Sequence, residues 1–197
     1  MKVHLIRTED VDKELFAGVV SMLQAIPGRM EFISDPDFPR REPENVNCLR
    51  SPDMDFSRVE WDRKRKISSS VSTAQFTAPE HTVHWDELFA KSDQYRRARH
   101  LHDDEFVFLL TAQVNHRNWF SALDRNQPAN GFIHTADWDL YLDASPVFPI
   151  AFEAISLVLQ HHIYADWDKM RELAHKTPRG CVNDFCLEKR DIILKMR

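Results

Sequence analysis

Glu153 is the residue of this sequence whose surroundings most strongly suggest chemistry. It lies in an apolar run that predicts a buried central helix over residues 146–162, beginning at Ser145 as a possible cap. Glu153 shares one line along this helix with Ser156 and Gln160, because the three are spaced as i, i+3 and i+7. A buried carboxylate costs several kcal/mol unless it is paired. We therefore expect Glu153 to line a cleft or to meet a partner.

Cys181 and Cys186 form a second group of potential chemical importance. Two thiolates with four residues between them can bind one metal ion, and a structural zinc site needs four ligands. The sequence offers further ligands in His161, His162, His175, Cys48 or a continuation past Arg197, of which we select His162 and His175. Two interpretations stay open, a structural zinc in the C-terminal tail or two ordinary buried thiols.

His134 is a third candidate, with low weight as a catalytic residue. It lies in the second arm of a predicted hairpin, whose arms cover residues 118–123 and 131–142. In that arm the alternation places His134 on the apolar face with Phe132, Trp138 and Leu140. Either a hydrogen-bonded core histidine or a catalytic or ligand histidine fits this position.

Composition limits the class of protein. The 197 residues, with 43% hydrophobic residues and only 4 glycines, predict a single globular domain over 1–197. The net charge of −5 argues against nucleic acid as the main partner, although Arg63–Lys66 and Arg96–Arg99 are local basic groups. We expect no membrane span, and three cysteines without a secretion signal predict a cytoplasmic protein.

The elements that must position these residues predict an α/β fold. A strand at 3–6, a helix from about residue 11 and a strand at 30–33 favour a parallel βαβ unit. A helix is predicted within 82–102 and a strand buried on both faces at 105–111. Residues 35–80 predict an irregular insertion, and the tail 176–197 is expected to continue beyond the chain.

This order of elements resembles the plan of the zincin metallopeptidases, in particular the archaemetzincin branch of the metzincins. That family carries His-Glu-x-x-His-x-x-Gly-x-x-His on its active-site helix, and the frame here is Phe152 to His162. Glu153 matches the general base and His162 the third histidine, while Cys181 and Cys186 resemble the opening pair of a second zinc site. The resemblance implies a three-layer fold with a mixed, mostly parallel sheet.

The chain departs from the family pattern where the catalytic metal would bind. Phe152 and Ser156 stand in place of the first two zinc-binding histidines, and Leu159 stands in place of the glycine. Phenylalanine cannot bind a metal ion, and a neutral hydroxyl is a poor zinc ligand, so no zinc-bound water would be activated. The resemblance with these departures implies a disabled catalytic site whose cleft and edge strand bind an extended peptide.

Four functions follow from these observations. The first is a catalytically silent, zincin-like binding or regulatory module that contacts a protein or an extended peptide and carries a structural zinc. The second is an active, metal-dependent hydrolase with rearranged ligands around Glu153. Its centre would join His161, His162 or His175 with Glu153, Asp137 or Asp139. The third is a nucleic-acid-associated protein, which the net charge disfavours. The fourth, compatible with the first, is an α/β scaffold domain of a larger assembly.

Overall fold

The structure, a computed structural model, describes residues 1–38, 82–164 and 166–196. The predictions for Cys48, for the basic run Arg63–Lys66 and for nearly all of the insertion at 35–80 lie outside the described residues.

Five strands form one mixed sheet with the order β2-β1-β3-β5-β4. The strands are β1 (Lys2–Arg7), β2 (Glu31–Asp35), β3 (Phe106–Thr111), β4 (Ser121–Leu123) and β5 (Asn130–His134). All neighbouring pairs are parallel except β4 and β5, which pair in antiparallel fashion. The predicted α/β class with a mostly parallel sheet is therefore confirmed, and β3 is buried along its whole length as predicted.

The first crossover is the parallel unit that the sequence predicted. Helix α1 (Lys13–Ala25) connects β1 to β2, and the carboxylate of Asp12 caps it by accepting from the backbone N–H of Leu15. Its apolar stripe buries Phe16, Val19, Val20 and Leu23 against the sheet. The helix exists because apolar residues recur at the helical period while its opposite face stays polar.

Helices cover both faces of the sheet and make three layers. On one face α1 packs beside the helix α3 (Val147–Ile163). On the other face lies α2 (Trp85–Arg99), with Trp85, Leu88 and Phe89 in contact with the apolar side chains of β3 and β5. The predicted buried central helix at 146–162 is thus confirmed, and it contributes Ile150, Ala154 and Val158 to the core.

The strand predicted to run to residue 142 ends earlier, so that part of the prediction is wrong. β5 stops at His134, and the backbone N–H of Leu142 already bonds the carbonyl of Trp138 in a turn. Asp137 adopts a positive φ of 60°, a conformation that aspartate tolerates better than most residues. Leu140, which the alternation assigned to the apolar face, is consequently 71% exposed.

The C-terminal segment, residues 166–196, contains two short helices, α4 (Trp167–Glu172) and α5 (Ile192–Lys195). A 3-10 turn at Lys189–Asp191 leads into α5. Among the described residues, no helix is long and apolar enough to cross a membrane.

Candidate functional site

Glu153 has the charged partner that its apolar surroundings required. Its side chain is 1% exposed, and its Oε1 lies 3.0 Å from the Nζ of Lys195, whose side chain is 4% exposed. The hydroxyl of Ser121 donates a hydrogen bond of 2.6 Å to Oε2. Both carboxylate oxygens are therefore occupied by groups from two other parts of the chain, the edge strand β4 and the short helix α5.

The C-terminal segment reaches Glu153 because it packs along the polar line of α3. About two helical turns beyond Glu153, the side-chain amide of Gln160 donates to the backbone carbonyl of Val182 at 2.8 Å. Ile192 is fully buried in the core beside α3 and fixes α5 there. In the predicted line of Glu153, Ser156 and Gln160, the first and the last residue therefore contact the C-terminal segment.

Three potential metal ligands converge in the same segment. Ligand atoms of His175, Cys181 and Asp184 all lie within 4.8 Å of one another. Cys181 is partly buried, Asp184 is buried, and the His175 side chain is 33% exposed, so the group is reachable from the surface. This cluster could hold a metal ion.

Asp184 organises the loop that carries Cys181. Its Oδ2 accepts three backbone N–H groups, from Arg179 at 2.6 Å, Gly180 at 2.8 Å and Cys181 at 2.9 Å. Gly180 has a φ of 84°, which a glycine adopts without the steric cost of a side chain. Burial raises the pKa of Asp184, but the hydrogen bonds from these amides and from His175 outweigh it, so the pKa lies below its usual value.

The donor types are ones that zinc prefers, but the cluster supplies at most three of the four ligands that a structural zinc site needs. The Nδ1 of His175 lies 2.9 Å from Asp184 Oδ1, and since a carboxylate can only accept, Nδ1 carries a proton, which in the neutral imidazole leaves the lone pair on Nε2. A carboxylate that orients a ligand histidine in this way is a common arrangement around protein-bound zinc. The thiolate of Cys181 and the imidazole of His175 are both preferred zinc ligands, and Asp184 can bind the ion or orient the histidine.

The other two residues selected from the sequence as metal ligands lie outside this group. Cys186 is buried in the apolar core, and burial raises the pKa of its thiol to about 12, while Lys195 opposes and Glu153 adds to the increase. His162 lies near the end of α3, with its Nε2 3.0 Å from the sulfur of Met1. Of the four predicted ligands, the structure brings His175 and Cys181 together.

His134 has both ring nitrogens engaged. Its Nε2–H donates to the carbonyl of Ala112 at 3.1 Å, so Nδ1 accepts from the ammonium of Lys189 at 3.0 Å. Burial and then the charge of Lys189 lower the pKa of His134 to about 4. Burial lowers the pKa of Lys189 to about 8, and its ammonium lies 4.7 Å from the centre of the Trp138 ring. This arrangement is that of a neutral, hydrogen-bonded core histidine.

The basic residues late in α2 hold the fold together. Arg96 is buried and donates to the side chain of Asn130 and to the carbonyls of His102 and Glu105. Arg99 pairs with Asp35 at the end of β2. These contacts explain two of the three arginines without a nucleic-acid partner.

Sequence reasoning missed Lys195, Ser121, Asp184 and Lys189, which complete these sites. Each is a common residue type in an unremarkable local pattern, and the side-chain contacts that join them to Glu153, His175 and His134 span at least nine residues. No protein-family model, curated protein or solved structure matches the chain.

Proposed function

We propose that this protein is a catalytically silent, zincin-like binding or regulatory module with a structural zinc in its C-terminal segment. The observation that carries the proposal is the enclosed carboxylate of Glu153, which is occupied on both oxygens by Lys195 and Ser121. A protein of this kind with reduced thiols suits the cytoplasm.

The order of elements supports the zincin-like part of the proposal. A βαβ start, a buried strand β3, the strand pair β4–β5, a central helix α3 and a cysteine-bearing tail follow one another as the resemblance implies. Ser121 on the edge strand β4 contacts Glu153 on α3, so the helix carries its carboxylate to the side of the sheet where β4 lies.

The surroundings of Glu153 support catalytic silence. A general base has to approach the proton it removes to within hydrogen-bond distance. Glu153 is 1% exposed and each of its oxygens already has a partner, Ser121 or Lys195, so the carboxylate is shielded from solvent and substrate. A catalytic zinc of the zincin kind does not fit either, because Phe152 carries no donor atom and Ser156 offers only a neutral hydroxyl.

The histidines of the competing hydrolase hypothesis lie away from Glu153. The ring of His161 packs against Phe106 with 5.0 Å between ring centres, and His162 follows it on the same helix. Eight residues of α-helix separate Glu153 from His161, a rise of about 12 Å. His175 hydrogen-bonds to Asp184 in the separate cluster. This geometry favours the silent module over the hydrolase.

The edge strand β4 is the part of the sheet that we propose for binding an extended peptide. Backbone hydrogen bonds join Phe120 to His134 and Asp124 to Asn130, so the alternation of an antiparallel pair turns the backbone groups of Ser121 and Leu123 outward. Within the described residues these outward groups have no hydrogen-bond partner. A peptide that adds as a strand would pair with them.

Metal analysis of the purified wild-type protein and three variants tests the structural zinc. Wild-type protein prepared without chelator or an affinity metal is expected to contain one zinc per chain. The variants His175→Ala and Cys181→Ser should lose it, since each removes one of two soft ligands. Cys186→Ser is the matched control, because Cys186 lies in the core outside the cluster, and it should keep its zinc.

Three results would contradict this assignment. Zinc that survives both His175→Ala and Cys181→Ser would lie elsewhere in the chain. Absence of zinc from the wild-type protein, even after refolding with zinc, would remove the structural metal from the proposal. Loss of zinc in the Cys186→Ser control with retained folding would return Cys186 to the ligand set.

A further inference from the structure

A groove lies between α1 and the edge strand β2, at the end of the sheet where parallel strands β1 and β2 finish. It has a cavity volume of about 360 Å³. Arg7, the last residue of β1, and Ser34 on β2 line it from the sheet, while Lys13 and Phe16 line it from α1.

Arg7 is a buried arginine with no acidic partner among the described residues. The residue is 8% exposed, and its Nη1 donates to the backbone carbonyls of Thr8 at 3.3 Å and Val11 at 3.0 Å. Its Nε is buried and has no hydrogen-bond partner. Within residues 1–38, 82–164 and 166–196, no carboxylate forms an ion pair with it.

A buried arginine without an acidic partner lowers the stability of the folded protein unless a ligand compensates its charge. Burying a charge costs several kcal/mol unless an opposite charge and hydrogen bonds compensate. Two carbonyls satisfy part of the guanidinium, but no carboxylate of the described residues pairs with its charge. The groove adds a second cation, Lys13, against a single carboxylate, Asp37, among its lining residues. The charge balance thus favours an anion.

The other residues that line the groove indicate the chemistry of the rest of the ligand. Ala17 is the exposed apolar residue of α1 in the groove, beside the small exposed parts of Phe16 (3%) and Val20 (8%), and Ser21 and Gln24 follow farther along the same helix. The volume is at the lower end of the range for small-molecule sites, about 300–1,000 Å³. Inorganic phosphate alone would leave this apolar surface uncovered.

We propose that this groove binds a small organic anion, with one carboxylate or phosphate group on Arg7 and an apolar body along Phe16 and Val20. The guanidinium is suited to such an acid, because its planar donors match the oxygens of carboxylate and phosphate groups. This site is separate from the Glu153 pair and from the metal cluster, and it does not depend on the silent-module proposal.

The experiment uses the intact protein and four defined probes. Phenylacetate and phenyl phosphate carry an acid and an apolar ring, phenylacetamide lacks the charge, and inorganic phosphate lacks the ring. Each is titrated at constant ionic strength while backbone amide resonances are followed by NMR. Both aromatic acids are expected to shift the amide resonances of Phe16, Val20 and Ser34. Their dissociation constants should be at least about tenfold lower than those of phenylacetamide and inorganic phosphate.

Substitution of the arginine completes the test. Arg7→Gln should weaken binding of the aromatic acids by about tenfold or more, because charge-assisted hydrogen bonds are lost. The matched control is Arg97→Gln, which removes an exposed arginine from α2 on the other face of the sheet and should leave binding unchanged.

Three outcomes would overturn the proposal. The first is equal affinity for phenylacetate and phenylacetamide in the wild-type protein, a comparison that does not require the variant to fold. The second is an absence of shifts around the groove at millimolar probe. The third is an equal loss of binding in Arg7→Gln and Arg97→Gln, which would mean general attraction of anions to the surface.

Discussion

Replacement of Lys195 by methionine should cost far more stability than the position of this residue near the chain end suggests. The variant keeps the aliphatic stem but removes the ammonium that lies 3.0 Å from Glu153. Glu153, 1% exposed, is then a buried charge with only the hydroxyl of Ser121 as a partner. Removing one member of a buried ion pair typically costs about 3–5 kcal/mol, which is the expected loss of unfolding free energy.

A double-mutant cycle separates this charge effect from packing. Glu153→Met should also destabilise, because it leaves Lys195 buried without an acid. The double variant, with methionine at both positions, has no uncompensated charge and should recover to within about 1 kcal/mol of wild type. Urea unfolding at neutral pH, followed by tryptophan fluorescence, gives each free energy from the midpoint and the slope.

Lys169→Met is the matched control for this cycle. Lys169 also forms an ion pair, with Glu172 at 3.1 Å, but the two side chains are 52% and 68% exposed. An exposed pair of this kind contributes only about 0.3–0.5 kcal/mol. Equal, small losses for Lys195→Met and Lys169→Met, or simple additivity in the double variant, would refute the enclosed ion pair.

Two further predictions concern acid sensitivity and close packing. The pKa of His134 is about 4 in the folded protein against 6.5 ordinarily, so as the pH falls the unfolded chain takes up this proton first. Its contribution to stability, about 3 kcal/mol at most, should therefore be present above pH 6.5 and lost between pH 6.5 and 4. Urea titrations across this range should show that the unfolding free energy depends less on pH in His134→Gln than in wild type. An equal pH dependence in the two proteins would contradict the neutral histidine. Gly131→Ala should destabilise by about 1–3 kcal/mol, because a Cβ there would lie 3.0 Å from the backbone oxygen of Ala122. Gly28→Ala, with nothing within 4 Å, is its control in thermal unfolding, and similar melting temperatures for the two would argue against the close approach.

The sheet and its helices were largely predictable because their signals are local. The continuous apolar run of β3, the helical period of α1 and the apolar helix α3 each identify an element without knowledge of its neighbours. The strand end at His134 was not predictable in this way. The alternation continues to Leu140, and the turn that interrupts it depends on contacts of Trp138 with the core and with the His134 carbonyl.

Of the ion pair between Glu153 and Lys195, only the part played by Glu153 was predictable from the sequence. Burial of Glu153 follows from its apolar neighbours, and so does the need for a partner. That the partner is Lys195 depends on how the C-terminal segment packs across α3, a contact between residues 42 positions apart. The spacing of Cys181 and Cys186 likewise does not reveal that one thiol joins His175 and Asp184 while the other enters the core.

Peptide hydrolysis by the zinc-loaded protein is the most direct test of the central claim that Glu153 is structural. Wild type, Glu153→Gln and Lys195→Met are incubated with a mixed peptide library, and cleavage products are counted by mass spectrometry. The enclosed ion pair predicts that wild type releases no more products than the heat-inactivated protein or Glu153→Gln. Cleavage by wild type that Glu153→Gln abolishes, in a variant shown to be folded, would make Glu153 a catalytic residue and contradict the account.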